Sequence, residues 1–137
     1  MIKKIHHAAY RCKCSEETRE FYEDFLKLPL VNAFEINETK TGRKTSVLHT
    51  FYRLDDGSHL AFFEAPLQKF NFIKQHDFDL HIALETDKKT LVEMFEEGKR
   101  KNVETRGISD HGFISSIYFR DPNGYVVELT AKNTDNK

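Results

Sequence analysis

Two histidines and two glutamates carry the chemistry this chain has to offer. His7 and His81 each stand two residues before an alanine, Ala9 or Ala83, and each lies 14 residues ahead of a phenylalanine, Phe21 or Phe95, in a helical pattern. Glu64 and Glu128 each interrupt an apolar segment that follows a glycine-containing turn. A carboxylate in such a segment has to face a polar cavity, meet a cation or lie on an exposed face. Neutral imidazole and carboxylate are the groups that hold Zn, Ni, Mn or Fe(II), and fewer than six protein ligands leave positions for water or substrate. Either histidine alone reads as an ordinary core or surface residue. The repetition of His with His and Glu with Glu is what points to a divalent metal.

The elements that must position these residues also repeat. Ile5 to Cys12 is predicted to be a strand, and Ser15 to cap a helix in which Thr18, Phe21, Tyr22 and Phe25 recur at helical spacing. That helix stops near Leu28-Pro29, because proline disfavours helical geometry in the residue before it. A strand over Leu30 to Ile36, a polar loop over Asn37 to Lys44, and strands over Thr45 to Leu54 and His59 to Ala65 follow, the last two joined by Asp55-Asp56-Gly57-Ser58. The order then begins again. Asp79 to Glu85 is a strand, Asp87 caps a helix carrying Leu91, Met94, Phe95 and Gly98, and Val103 to Arg106 is a short strand. The stretch from Ser116 to Thr130 closes the unit as a hairpin turned at Asp121-Pro122-Asn123-Gly124. This is a duplicated βαβββ unit.

Strand alternation sorts the faces. Leu60, Phe62 and Glu64 share one, as do Val126, Glu128 and Thr130. Ser116, Tyr118 and Arg120 fall together, leaving Ile117 and Phe119 for a helix. The pattern predicts an α+β fold, two tandem βαβββ modules forming a curved mixed sheet around a metal-binding cleft, with helices outside. Module one is expected over about 1–66, a connector over 67–78, module two over about 79–131 and a tail over 132–137, all within one domain spanning 1–137.

Charge and composition remove several alternatives. Lys+Arg 21 against Asp+Glu 22 leaves no basic field for nucleic acid. No apolar run approaches the roughly 20 residues that span a bilayer, and the start lacks a signal-peptide core, so a cytoplasmic protein with no membrane partner is expected. Cys12 and Cys14 form neither a disulfide framework nor a thiolate zinc site, and are expected to be reduced and structural.

The stretch His7-Ala-Ala-Tyr-Arg11, then Phe21-Tyr22, Glu64, His81-Ile-Ala-Leu84 and Phe119-Arg-Asp-Pro-Asn-Gly-Tyr-Val-Val-Glu128 together resemble the vicinal oxygen chelate superfamily, from Ile5 to Thr130. That superfamily includes glyoxalase I, extradiol ring-cleaving dioxygenases, fosfomycin-modifying enzymes and bleomycin-binding proteins. The resemblance implies a divalent metal on the floor of a cleft and a small substrate whose two neighbouring oxygens chelate it. It also implies a homodimer. In the glyoxalase-like reading, a lyase or isomerase, His7, Glu64, His81 and Glu128 are metal ligands, and Glu64 or Glu128 moves a proton between adjacent carbons. Arg11 then holds a carboxylate of glutathione as co-substrate. In the dioxygenase reading, His7, His81 and Glu128 hold Fe(II) for a catechol and O₂, Tyr118 stands behind them and His111 faces the substrate. A third reading is a drug- or metabolite-binding resistance protein.

Overall fold

Alternating side chains and one helical segment in each half of the chain produce the same unit twice. The computed structural model describes residues 1–38 and 40–133; Thr39 in the predicted polar loop and the predicted tail beyond Asn133 lie outside the described residues. The chain divides into two units, Met1–Phe72 and Ile73–Lys137, within the segment read as a connector. Each is a four-stranded mixed sheet, so the fold is tandem βαβββ and α+β.

In the first unit β1 (His7–Cys12) leads to α1 (Ser15–Arg19), which continues as a π-helix over Glu20–Phe25, and then to β2 (Leu30–Glu38), β3 (Lys44–Arg53) and β4 (His59–Glu64). The strand order is β1-β4-β3-β2, with β1 parallel to β4 and the other pairs antiparallel. Phe21, Tyr22 and Phe25 are buried, and the Tyr22 ring packs 4.7 Å from that of Phe62, whose side chain has no exposed surface. Phe62 thereby marks the helix-covered face. Cys12 lies on this face beneath the helix, its thiol pushed up to about 11 by burial, and both cysteines are free, consistent with a structural role.

The start of α1 differs from expectation. Cys14, not Ser15, occupies the N-cap position and makes no side-chain cap; the Ser15 N–H donates instead to Glu64 Oε1 at 2.5 Å. A long side chain from β4 reaches the helix end and satisfies a backbone donor that the local sequence leaves open.

The second unit has β5 (His81–Glu85), α2 (Lys88–Arg100), β6 (Thr105–Asp110), β7 (Ile114–Arg120) and β8 (Val126–Lys132) in the order β5-β8-β7-β6, with β5 parallel to β8. Asp87 caps α2 as its position implies, accepting from the Thr90 N–H at 2.7 Å. β6 starts later and runs further than the predicted Val103 to Arg106, with a register shift between Arg106 and Ser109. α2 packs on β6, β7 and β8, over Ile117, Phe119, Val127 and Leu129. The approach is close at Gly98, where a Cβ would lie 2.5 Å from Thr105 Oγ1 and 2.6 Å from Phe119 Cε1.

That approach generates a prediction in which two effects oppose each other. Gly98→Ala gains about 1 kcal/mol of helix propensity but forces a methyl group against a buried ring, which costs about 1–3 kcal/mol. Because Phe119 is only 2% exposed and has nowhere to move, the variant should be less stable than the parent, read as a lower urea midpoint at unchanged slope.

Candidate metal centre

The geometry of the second unit is set by its turn. Asp121 Oδ1 accepts the backbone N–H of Asn123 and of Tyr125, each at 2.8 Å, and Gly124 adopts φ 97°. With both ends of the turn fixed, β7 and β8 pair so that Tyr118 lies opposite Glu128 and Ser116 opposite Thr130. β5 lies on the other side of β8, with His81 opposite Val126 and Ala83 opposite Glu128. His81, Glu128, Ser116 and Tyr118 therefore share the face away from α2.

His81 is held in one orientation. Its Nδ1 is 2.8 Å from the carbonyl oxygen of Asp77, so Nδ1 donates there and Nε2 is the ring nitrogen left to face the site. That atom lies 3.2 Å from Glu128 Oε1, in a carboxylate whose side chain is only 10% exposed. Ser116 Oγ donates to Glu128 Oε2 at 2.6 Å, which leaves Oε1 to face the imidazole. A nitrogen and an oxygen placed this way share a proton or a cation, and this pair of donor atoms suits a divalent metal. Within neither unit do three His, Cys, Asp or Glu side chains converge on one point among the described residues. The second unit supplies two such groups.

Tyr118 and His111, both singled out by the sequence, meet in the same unit, with Tyr118 Oη 3.4 Å from His111 Nε2. The Tyr118 phenol is pushed above its ordinary range by burial and then by the negative charge of Glu128.

The first unit does not repeat this arrangement. His7 stands opposite His59, and Ala9 opposite Ala61; superposing the two registers on their histidines sets Ala61, not Glu64, against Glu128. Phe51 then answers Tyr118, since it pairs with Ala61 as Tyr118 pairs with Glu128. Glu64 lies three residues past Ala61, an odd offset that turns it onto the Phe62 face, where it serves α1. The pairing of Glu64 with Glu128 read from the sequence is thus a difference the structure resolves: turn and strand recur, but the two acids occupy opposite faces. His7 is on the expected face, exposed, with Nδ1 2.9 Å from that of His6 and its ring 5.3 Å from Phe51. Arg11 shares that face, yet its guanidinium donates to the carbonyl oxygens of Ala65, at 2.8 Å, and Gln68, and lies over the Phe70 ring. It fastens the segment after β4.

Sequence reasoning did not assign roles to Ser116 or Asp77. Ser116 was on the right face by alternation, but its bond to Glu128 depends on the pairing of β7 with β8. Asp77 acts through a backbone carbonyl, which its side-chain identity does not announce.

The phenol supports a second prediction. A raised folded-state value means that the folded protein keeps the Tyr118 proton where the unfolded chain has lost it, so any stability associated with this group is present below about pH 10 and is lost as pH rises through the folded value. Spectrophotometric titration should show Tyr118 ionising above an ordinary tyrosine, and Glu128→Gln should lower its midpoint without restoring it fully, because burial is the larger cause.

A family model described as Glyoxalase/Bleomycin resistance protein/Dioxygenase superfamily matches residues 4–129. Among solved structures, a glutamate-to-glutamine mutant of the fosfomycin resistance protein FosX from Listeria monocytogenes, complexed with Mn(II) and 1S,2S-dihydroxypropylphosphonic acid, is 20% identical with TM-score 0.71, covering 97% of this chain and 95% of that one. A glyoxalase/dioxygenase from Nostoc punctiforme is 20% identical with TM-score 0.71, over 96% of this chain and 92% of the other. An integron cassette protein from the mobile metagenome of the Halifax Harbour sewage outfall is 22% identical with TM-score 0.67, over 95% and 99%. No curated protein matches the chain.

Proposed function

The chain belongs to the Glyoxalase/Bleomycin resistance protein/Dioxygenase superfamily, and we propose that it is a divalent-metal-dependent enzyme acting on a small molecule through two neighbouring oxygens. The observation that carries this reading is the placement of His81 Nε2 and Glu128 Oε1, 3.2 Å apart with each side chain held from behind. These two residues would hold the metal, and His7, on the corresponding face of its own unit, is the further imidazole the family resemblance implies. A bound divalent cation would supply Lewis acidity, favouring the ionised form of a coordinated hydroxyl or polarising a carbonyl. Glu64 is left out of this set because of its place at the α1 end.

The remaining chemistry belongs to side chains. Ser116 keeps the Glu128 carboxylate from rotating. Tyr118, held neutral, offers an O–H to an oxygen of the substrate, and His111, in reach of the phenol, takes up or returns its proton.

The position of Glu64 bears on which reaction is favoured. Isomerisation of the glyoxalase kind uses a second carboxylate near the metal, whereas ring cleavage of a catechol needs two histidines, one carboxylate and an acid–base pair. The Tyr118–His111 contact therefore favours the extradiol reading, with Fe(II) as metal and O₂ as co-substrate, over the glyoxalase-like one. Glutathione has no support from Arg11, which is engaged with the backbone. FosX, crystallised with Mn(II) and a ligand bearing neighbouring hydroxyls, makes Mn(II) the second metal to test and fosfomycin a further substrate.

The decisive measurement is metal content and calorimetric binding of Mn(II), Fe(II), Zn and Ni to anaerobically purified protein. His81→Ala and Glu128→Gln should each weaken binding by about tenfold or more, while Glu64→Ala should leave it unchanged and lower stability by about 0.5–2 kcal/mol through loss of the helix-end contact. Unchanged metal affinity in His81→Ala would overturn the site. Assays of catechols with oxygen uptake, of methylglyoxal hemithioacetal and of fosfomycin then separate the reactions, and inertness toward all three in the metal-loaded form supports a binding-only protein.

A further inference from the structure

The hairpin that carries His111 is tied down by the residue that follows β8. His111, Gly112 and Phe113 join β6 to β7, and His111 is exposed, on a turn whose Gly112 adopts φ 91°. A side chain on such a loop is held only as well as the contacts around it allow. The hairpin's own backbone supplies a bond from the His111 N–H to the Ile114 carbonyl oxygen at 2.8 Å. Asn133 adds three more. Its backbone N–H donates to the Phe113 carbonyl oxygen at 3.0 Å, and its side-chain Nδ2 donates to Asp110 Oδ1 and to the Gly112 carbonyl oxygen, each at 3.1 Å. Behind the amide, Asn133 Oδ1 accepts from Lys88 Nζ at 2.8 Å and from Ser115 Oγ at 2.7 Å, and Ser115 is buried. An ammonium group can meet only an acceptor, so Lys88 settles which way the amide faces, with its two N–H donors turned to the loop. Both donors and both acceptor sites of the amide are thereby used.

Resting on the reading in which His111 exchanges a proton with Tyr118, we infer that Asn133 is a positioning residue for that pair, its side-chain amide fixing the turn over 110–113 so that His111 Nε2 stays within reach of the Tyr118 hydroxyl. Those two atoms are 3.4 Å apart, at the long end of hydrogen-bond distance, so a small shift of the loop breaks the contact. The tie comes from the strand that carries Glu128. β8 runs with Glu128 opposite Tyr118 and Lys132 opposite Ile114, and Asn133 is the next residue. One strand therefore sets both neighbours of the phenol, the carboxylate through register and the imidazole through the amide at its end. The mixture of partners specifies asparagine. Aspartate at this position would keep the bonds to Lys88 and Ser115, but it would turn a negative oxygen toward Asp110 and the Gly112 carbonyl, repelling what the amide holds.

The test follows the His111 ring by proton–carbon NMR of the full-length, metal-free protein, its Cε1–H signal identified by its loss in His111→Gln. Tyr118→Phe should shift that signal in the parent, because it removes the hydroxyl beside Nε2. In an Asn133→Asp background the same Tyr118→Phe change should leave the signal where it was, since the two side chains no longer meet. Asn133→Ala, which removes the donors without adding a charge, should uncouple the pair in the same way and carries the test if the aspartate variant does not fold. Glu64→Ala, which loosens the first unit only, should keep the Tyr118-dependent shift, and its loss there as well would mark the effect as general destabilisation and overturn the inference. A shift that persists in the Asn133 variants overturns it too, and leaves the Tyr118–His111 contact standing. If Tyr118→Phe moves nothing in the parent, the contact itself is refuted, and the proton-exchange reading falls together with the role of Asn133.

Discussion

The carboxylate of Asp121 is the constraint on which the second unit depends. By accepting two backbone N–H groups across a turn of four residues, it fixes where β7 ends and β8 begins. Asp121 and Asn123 are almost fully buried, 5% and 2% exposed, so both lean on each other for hydrogen bonds that water cannot supply. A slip of one residue between these strands would turn Glu128 onto the helix face and bring Val127 or Leu129 out to the polar one. Register is thus the quantity the turn protects. The partners of Glu128 in Ser116, Tyr118 and His81 are its products.

The two units share topology and differ in what they do with it. On the face away from the helix, the second unit presents an imidazole, a carboxylate, a phenol and hydroxyls. At matching places the first unit presents His7, Ala61, Phe51, His49 and Phe63, with the His49 and Phe63 rings stacked 3.7 Å apart. Polar groups on the second sheet and rings on the first represent two ways of filling one architecture. Glu64 shows the same divergence from the other side, since an acid retained near the end of β4 serves the helix and leaves the open face without a carboxylate.

Much of this was legible in the chain. Helical spacing around Phe21 and Leu91, alternation in β7 and β8, and the turn residues at Asp55 to Ser58 and Asp121 to Gly124 announced the repeated unit, because periodicity is imposed by burial on one side of each element. The face shared by Ser116, Tyr118 and Glu128 followed from the same counting. Counting failed where it had to be carried across strands. Glu64 and Glu128 look equivalent when their distances from a turn are judged loosely, yet an offset of three residues reverses the face. Arg11 was correctly placed on the His7 face, but alternation says nothing of the carbonyl groups that the chain after β4 would bring to its guanidinium. The carbonyl of Asp77 behind His81 is a backbone contact, and backbone contacts leave the least trace in side-chain identity.

The contact between Gly98 and Phe119 has a mechanical meaning as well. α2 rests on β7 through a glycine, with no side chain between the helix backbone and the ring, and the next residue along the strand is Tyr118. Close-packed atoms transmit displacement instead of absorbing it. The outer helix is therefore a strut behind the face that presents Tyr118. A change on its solvent side, such as a bulky partner or a kink near Gly98, would reach Tyr118 through that contact, with no side chain on the polar face replaced.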